Sequence, residues 1–209
     1  MSRLSCLTIA ATLALSVTLA AGPKFISTWK APEAANVSFA GKKVATLLIS
    51  DDLSLRMSGE EALVRELAAV GLPNAISSVR IVPTPEQRDP ERARPWYEKS
   101  NVDGVVSMRL VKADTRKTWT PVMWTSPYYS SFWGYYGYGW TSINDAGYVR
   151  EDSVVVVETL VFSVPMNKLL WAGVTESTNP KDLQKGIKDI VKATAKEMQK
   201  QGLARKAAK

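Results

Sequence analysis

The sequence predicts an α/β fold of the α+β kind. It has a mixed sheet, parallel in its first half and closed by an antiparallel C-terminal hairpin, with two to three helices packed on it. Three observations carry this. Short apolar runs at 44–49, 75–82 and 105–111 are separated by segments of helical pattern, the alternation that builds βαβ units. A long apolar run over 150–164 is followed by Pro165-Met166-Asn167-Lys168 and a second run over 169–174, which reads as a hairpin. The segment 181–201 repeats Leu183, Ile187, Ile190, Val191, Thr194 and Met198 at helical spacing, a stripe that needs a sheet face to cover.

Residues 1–21 come first and stand apart from the fold. Arg3 supplies a short basic start, 4–19 is apolar and uncharged, and Ala20, Ala21 and Gly22 are small. This is the layout of a secretory signal peptide, cleaved after Ala20 or Ala21. Residues 22–205 then read as one domain carrying an aromatic, glycine-rich insertion at 119–148, and 206–209 as a frayed tail.

Within the domain, 23–41 reads as an extended lead-in pinned by Phe25, Trp29 and Phe39. The run 44–49 is apolar at nearly every position, as expected for a strand covered on both faces. The first helix reads as starting at Ser58, with Glu61 completing a capping box, and ending at Gly71. Residues 75–82 read as a second strand. A short helix over 91–99 is limited by Pro95. A turn at 101–104 precedes the third strand. Thr178 or Asn179 can cap the terminal helix, with Pro180 at its first position.

The region 119–148 is the compositional outlier. Ten of the chain's 18 Phe, Trp and Tyr residues lie between Trp119 and Trp140, so aromatic surface is concentrated there. Gly134, Gly137, Gly139, Pro121 and Pro127 interrupt it, and the punctuation predicts an irregular loop. Its aromatics are the candidate contact residues: Trp119, Trp124, Tyr128, Tyr129, Phe132, Trp133, Tyr135, Tyr136, Tyr138 and Trp140. Tyrosine and tryptophan offer large apolar faces with a polar handle, suited to glycan rings or a protein partner.

Composition excludes several chemistries. The chain has no histidine, and its single cysteine, Cys6, lies in the leader. A Cys nucleophile, a His base and a Ser-His-Asp triad are therefore absent from the mature chain. The carboxylates alone would be a poor zinc set. No cofactor or metal is expected. G-Y-Y-G-Y-G at 134–139 lacks the lysine and following helix of a phosphate loop. Asp51 and Asp52, after the first strand, could serve as a base or cation ligand at the strand's carboxyl end, or simply cap a loop. Glu60 and Glu61 read as first-turn carboxylates that favour the helix dipole. Arg109, inside an apolar strand, faces outward or pairs with a buried carboxylate such as Glu158.

The segments that resemble a known family can now be set in order: the leader, F-I-S-T-W-K-A-P-E at 25–33, K-V-A-T-L-L-I-S at 43–50, L-A-A-V-G-L at 67–72, V-D-G-V-V-S-M-R-L at 102–110, the Tyr/Trp/Gly stretch, V-V-E-T-L-V-F at 156–162, K-L-L-W-A-G at 168–173, and a basic helix ending in Gly-Leu. This order resembles an uncharacterised domain-of-unknown-function family of Gram-negative envelope proteins, many of them described as lipoproteins. The resemblance spans nearly the whole mature chain. It implies no established activity, so no catalytic residue is carried over. The lipidation cysteine usual in that family is missing after the apolar run, and the expectation is an exported protein of the periplasm or envelope that is not lipid-anchored.

The expected function is that of a non-enzymatic periplasmic or envelope protein, binding or scaffolding through the aromatic stretch. The alternatives are a carboxylate-dependent cell-wall hydrolase and a purely structural protein whose aromatic stretch is core. The formal net charge is +7, and residues 181–209 hold nine basic to three acidic side chains. The relevant anions in an envelope are lipid headgroups and wall polymers. Expected partners are thus an envelope protein or cell-wall glycan, with the basic C-terminal helix making peripheral contact with an anionic membrane surface, and no nucleic acid.

Overall fold

The computed structural model describes residues 22–111, 121–143, 154–178 and 183–204. The leader and two residues proposed for the start of the terminal helix, Asn179 and Pro180, lie outside the described residues, and Thr178, the other proposed cap, ends the last strand. One mixed sheet of six strands organises the chain, in the order β1-β6-β5-β4-β2-β3. The strands are β1 (Lys24–Lys30), β2 (Val44–Ile49), β3 (Ala75–Ser77), β4 (Gly104–Val111), β5 (Val154–Ser163) and β6 (Lys168–Thr178). β2 lies parallel to both β3 and β4. The pairs β4–β5, β5–β6 and β6–β1 are antiparallel. Parallel first half and antiparallel second half are therefore as the sequence predicts.

The helices are more numerous than two or three. Among the described residues they are α1 (Leu53–Ala69), α2 (Ser78–Ile81), α3 (Pro90–Lys99), α4 (Pro127–Ser130), α5 (Phe132–Thr141) and α6 (Leu183–Lys200). α1 and α6 cover one face of the sheet, where Leu63, Leu67, Ile187, Ile190 and Val191 share a core with Leu48 and Val106 of the strands. The helices α3 to α5 cover the other face, where Tyr97, Phe132, Tyr135 and Tyr136 meet Leu47, Ile49, Val105, Leu160 and Phe162. β2 is buried along its whole length between these layers.

Four local readings need correction. The lead-in is not merely extended. Lys24–Lys30 forms an edge strand on β6, with a bulge between Phe25 and Ser27. α1 begins ahead of Ser58, because Asp52 is the N-cap and its Oδ1 accepts from Leu55 N at 3.0 Å. Ser58 and Glu61 are therefore mid-helix and form no capping box. The run 75–82 keeps strand geometry for three residues only and then turns into α2. The aromatic stretch is not irregular, since it contains α4 and α5.

Other signals act where the sequence puts them. Gly71, with φ of 103°, follows α1, and Leu72 N donates back to Leu67 O at 2.9 Å. Gly202, with φ of 81°, does the same after α6, where Leu203 N reaches Met198 O at 3.0 Å. The expected helix at 91–99 forms as α3, with Asp89 as a cap that the sequence reading did not name and Pro90 at its first position. Asn167, with φ of 47°, turns the β5–β6 hairpin.

The misplaced α1 start hides a structural role for Glu60. This residue is fully buried in mid-helix, not in the first turn. Its Oε1 accepts from Leu48 N at 3.0 Å, and its Oε2 from Ser77 Oγ at 2.7 Å and Val79 N at 3.0 Å. One carboxylate thus ties α1 to the centre of β2 and to the point where β3 becomes α2. Burial pushes its pKa up, opposed by these donors and by Arg56. The folded state then binds the proton more tightly than the unfolded chain. The corresponding stability is present below the ordinary carboxylate pKa and is lost as pH rises through the raised value. We predict that the stability advantage of wild type over Glu60→Gln, measured by urea unfolding, shrinks as pH rises above about 4.5, the ordinary value. An advantage that grows with pH would contradict this.

Candidate functional site

The aromatic stretch lies on the sheet face opposite α1 and α6. The buried positions of α5 are Phe132, Tyr135, Tyr136, Gly139 and Trp140, the 3–4 spacing of an amphipathic helix. Ser131 caps it, its Oγ accepting from Gly134 N at 3.1 Å. Gly139 has a specific reason to be glycine. A Cβ there would run into Cδ1 of Ile49 on β2, so its absence lets the helix backbone approach the sheet.

Most of the ten candidate contact residues turn inward. Trp124, Tyr129, Phe132, Tyr135, Tyr136 and Trp140 are buried. Phe132 sits at the centre, with ring centroids 4.7 Å from Trp133, 5.4 Å from Tyr97 and 5.6 Å from Phe162. These six side chains are packed in the core, the placement that the structural alternative expects for the aromatic stretch. Packing a large apolar ring against a bare sheet face stabilises more than exposing it. Trp119 lies outside the described residues. Trp133 and Tyr138 are half-buried, and Tyr128 is 63% exposed.

A polar cluster lies under this layer. Arg109 on β4 faces Glu158 on β5, its cross-strand partner. Arg109 Nη2 and Nε donate to Glu158 Oε2 at 2.9 and 3.2 Å. Tyr135 donates its hydroxyl proton to the same oxygen at 3.2 Å. Arg109 Nη1 donates to Ser142 Oγ at 2.6 Å, and Nη2 reaches the Tyr129 hydroxyl at 3.4 Å. Burial is the largest influence on Arg109 and pulls its pKa down, but the Glu158 charge, the two tyrosines and the Glu158 hydrogen bond together outweigh it, and the net shift is upward. Burial raises Tyr129 and Tyr135, and the neighbouring Glu158 charge adds to it. All three keep their protons at any ordinary pH. The cluster is a fixed charge pair with a tyrosine fringe, not a proton relay.

The surface above this pair is a tyrosine stack. Tyr138 lies over the Arg109 guanidinium at 5.2 Å, and Tyr128 stacks on Tyr138 with centroids 5.5 Å apart and planes at 29°. Tyr129 meets Tyr138 edge-on at 5.7 Å. One ring is thus held from below by a cation and from the side by a buried ring, and the outermost ring faces solvent.

The other candidates have structural work. Asp52 caps α1, and Asp51 pairs with Arg88 at 2.7 Å. Arg56 is buried in α1. Its Nη2 donates to Gln87 Oε1 at 2.6 Å, and its guanidinium lies 4.8 Å from the Trp140 ring. Burial lowers its pKa. Gln87 in turn donates to Val82 O and accepts, at its carbonyl, the Tyr136 hydroxyl at 2.6 Å. Sequence reasoning missed Arg56, Gln87, Ser142 and Tyr97 because nothing in their local pattern marks them. Each has a partner more than ten residues away: Gln87 for Arg56, Tyr136 for Gln87, Arg109 for Ser142 and Phe132 for Tyr97. Among the described residues, no three His, Cys, Asp or Glu side chains are grouped to hold a metal ion. No described helix is long and apolar enough to cross a membrane.

On α6, Lys188, Lys192, Lys196 and Lys200 follow each other at four-residue spacing and all are exposed. They form a basic column along the solvent side of the helix whose opposite stripe is core.

No family model and no curated protein matches this chain. Two solved structures that it resembles are the PelC dodecamer from Paraburkholderia phytofirmans in space group P6 and a point variant of that dodecamer in space group C2. In each, 88% of this chain aligns with 99% of the other at 14% identity and a TM-score of 0.47. At this identity no functional residue is carried across.

The Arg109–Glu158 pair gives a direct test. Removing one charge strands the other in a water-free layer, at a cost of roughly 3–5 kcal/mol. Arg109→Met should lose that much stability in urea unfolding. The double replacement Arg109→Met with Glu158→Leu should recover most of it. A single variant within about 1 kcal/mol of wild type would show that the pair is solvated.

Proposed function

We propose that the protein is an exported, non-catalytic envelope protein that binds a cell-wall glycan on the Tyr128–Tyr138 stack. The observation that carries this reading is the contrast within one aromatic segment. Six of its rings are spent on the core, while Tyr128 stays 63% exposed on a ring that is itself immobilised. A rigid, outward aromatic face fits the apolar face of a sugar ring and loses little side-chain entropy on binding. The leader supports export. The non-catalytic reading is supported by the structural duties of Asp51 and Asp52, the acids a hydrolase would have drawn on.

The α6 lysine column supports a second contact, with an anionic membrane surface. A lysine near such a surface contributes about 1 kcal/mol, so four in one column suffice for weak, salt-sensitive association.

Tyr128→Ala separates these contacts. Tyr128 is exposed, so its removal should leave Tm unchanged. Retention on purified wall sacculi should fall about tenfold, the effect of losing one aromatic anchor. Flotation with anionic vesicles should be unaffected by that change and should fall on replacing Lys192 and Lys196 by Ser. Sacculus binding that survives Tyr128→Ala would overturn the glycan reading.

A further inference from the structure

The free edge of the sheet at β1 suggests a different site. Among the described residues β1 is hydrogen-bonded only to β6. The direction of its backbone groups follows from one bond and the register. Ala31 N donates to Leu170 O at 2.9 Å, and Thr28, Trp29 and Lys30 pair in step with Gly173, Ala172 and Trp171. In an antiparallel ladder, alternate residues send both backbone groups to the same side. Ala31 and Trp29 therefore face β6, and Thr28 and Lys30 direct N–H and C=O outward.

A groove of about 380 Å³ lies along this edge, lined by Phe25, Ile26, Ser27, Thr28 and, from α6, Glu197 and Lys200. Four successive residues of β1 form its first bank, where the bulge at Ile26 breaks the strict alternation of side chains. The α6 residues make its second bank. Ile26, at the bulge, is an exposed large apolar side chain on this edge.

We propose that β1 accepts an extended acidic peptide as a seventh, antiparallel strand, with the α6 bank flanking it. Charge selects the occupant. Lys24 and Lys30 stand exposed at the two ends of the strand, Lys30 donating from Nζ to Gln201 O at 2.9 Å, and the acid among the groove's lining residues, Glu197, is paired with Lys200 at 3.7 Å. A second copy of β1 paired antiparallel about Ser27 would set Lys24 opposite the other copy's Lys30 at both ends, and in that register like charges directly opposite destabilise the ladder. The same lysines favour a strand with carboxylates at those two positions. Main-chain bonds to Thr28 and Lys30 supply the affinity, and Ile26 with Phe25 supplies apolar contact, the usual division of labour in strand addition. This site lies at the sheet's edge beside α6 and is independent of the tyrosine stack.

The test uses the mature chain and two labelled seven-residue peptides of alternating valine and threonine, one with glutamate at both ends and one with lysine. Fluorescence anisotropy at low salt should give at least about tenfold tighter binding of the glutamate peptide, and the gap should narrow as salt rises. Thr28→Pro removes an outward N–H on an edge strand, where proline is tolerated, and should abolish binding without lowering Tm. Should that variant fail to fold, Lys24→Glu with Lys30→Glu should reverse the peptide preference. Equal binding of both peptides, or a preference unchanged by charge reversal, would overturn the proposal. So would dimerisation that Thr28→Pro abolishes, which would give the edge to a second copy. Tighter peptide binding after deletion of 205–209 would give it to the chain's own tail and overturn it equally.

Discussion

One almost fully buried ion pair sets much of the arrangement on its sheet face. Arg109 and Glu158 lie opposite each other on β4 and β5, in the middle of a sheet face. Two charges so placed are tolerable only if their remaining hydrogen-bonding capacity is met locally. Ser142, Tyr129 and Tyr135 meet much of it, and all three belong to the aromatic segment. The pair therefore does more than attract its partner across two strands. It specifies which helix lies over that face and in which rotation, because only one turn of α5 brings Tyr135 to Glu158 while Ser142 caps the end near Arg109.

The two sheet faces solve the same burial problem differently. α1 and α6 offer aliphatic side chains in regular stripes, and the Glu60 carboxylate of α1 accepts from the backbone of β2. The opposite face is closed by a helix rich in aromatics and glycine. Three glycines weaken such a helix by roughly 1 kcal/mol each. Burying Phe132, Tyr135, Tyr136 and Trp140 contributes about 1.5–3 kcal/mol per side chain, and burial prevails. Packing against the sheet, not intrinsic propensity, is what makes α5 a helix.

Much of the fold was legible in the sequence, and the misses share a cause. β2, the β5–β6 hairpin, α6 and the Gly71 and Gly202 stops all carry local signals that tertiary contacts did not override. α5 was obscured because its glycines and the flanking prolines read as loop punctuation. Yet Phe132, Tyr135/Tyr136 and Gly139/Trp140 recur at helical spacing, and counting that period would have found it. β1 was hidden because an edge strand alternating exposed and half-buried residues has little hydrophobic pattern. From sequence Glu60 reads as a first-turn residue and Asp52 as lying outside the helix, since Ser58 with Glu61 mimics a cap. Of the candidate site, the segment was identifiable from composition. Which of its rings face outward was not, because that depends on the sheet face it meets.

The central claim is that the aromatic segment is a folded layer of the core with one solvent-facing tyrosine stack. Native-state amide hydrogen exchange tests it without altering a residue. The account predicts that amides of the inner turns of α5, Tyr135 to Trp140, are protected to within about tenfold of those in β4 and β5, since all would open together. Exchange of those amides at the rate of an unstructured peptide, with β4 and β5 still protected, would contradict it.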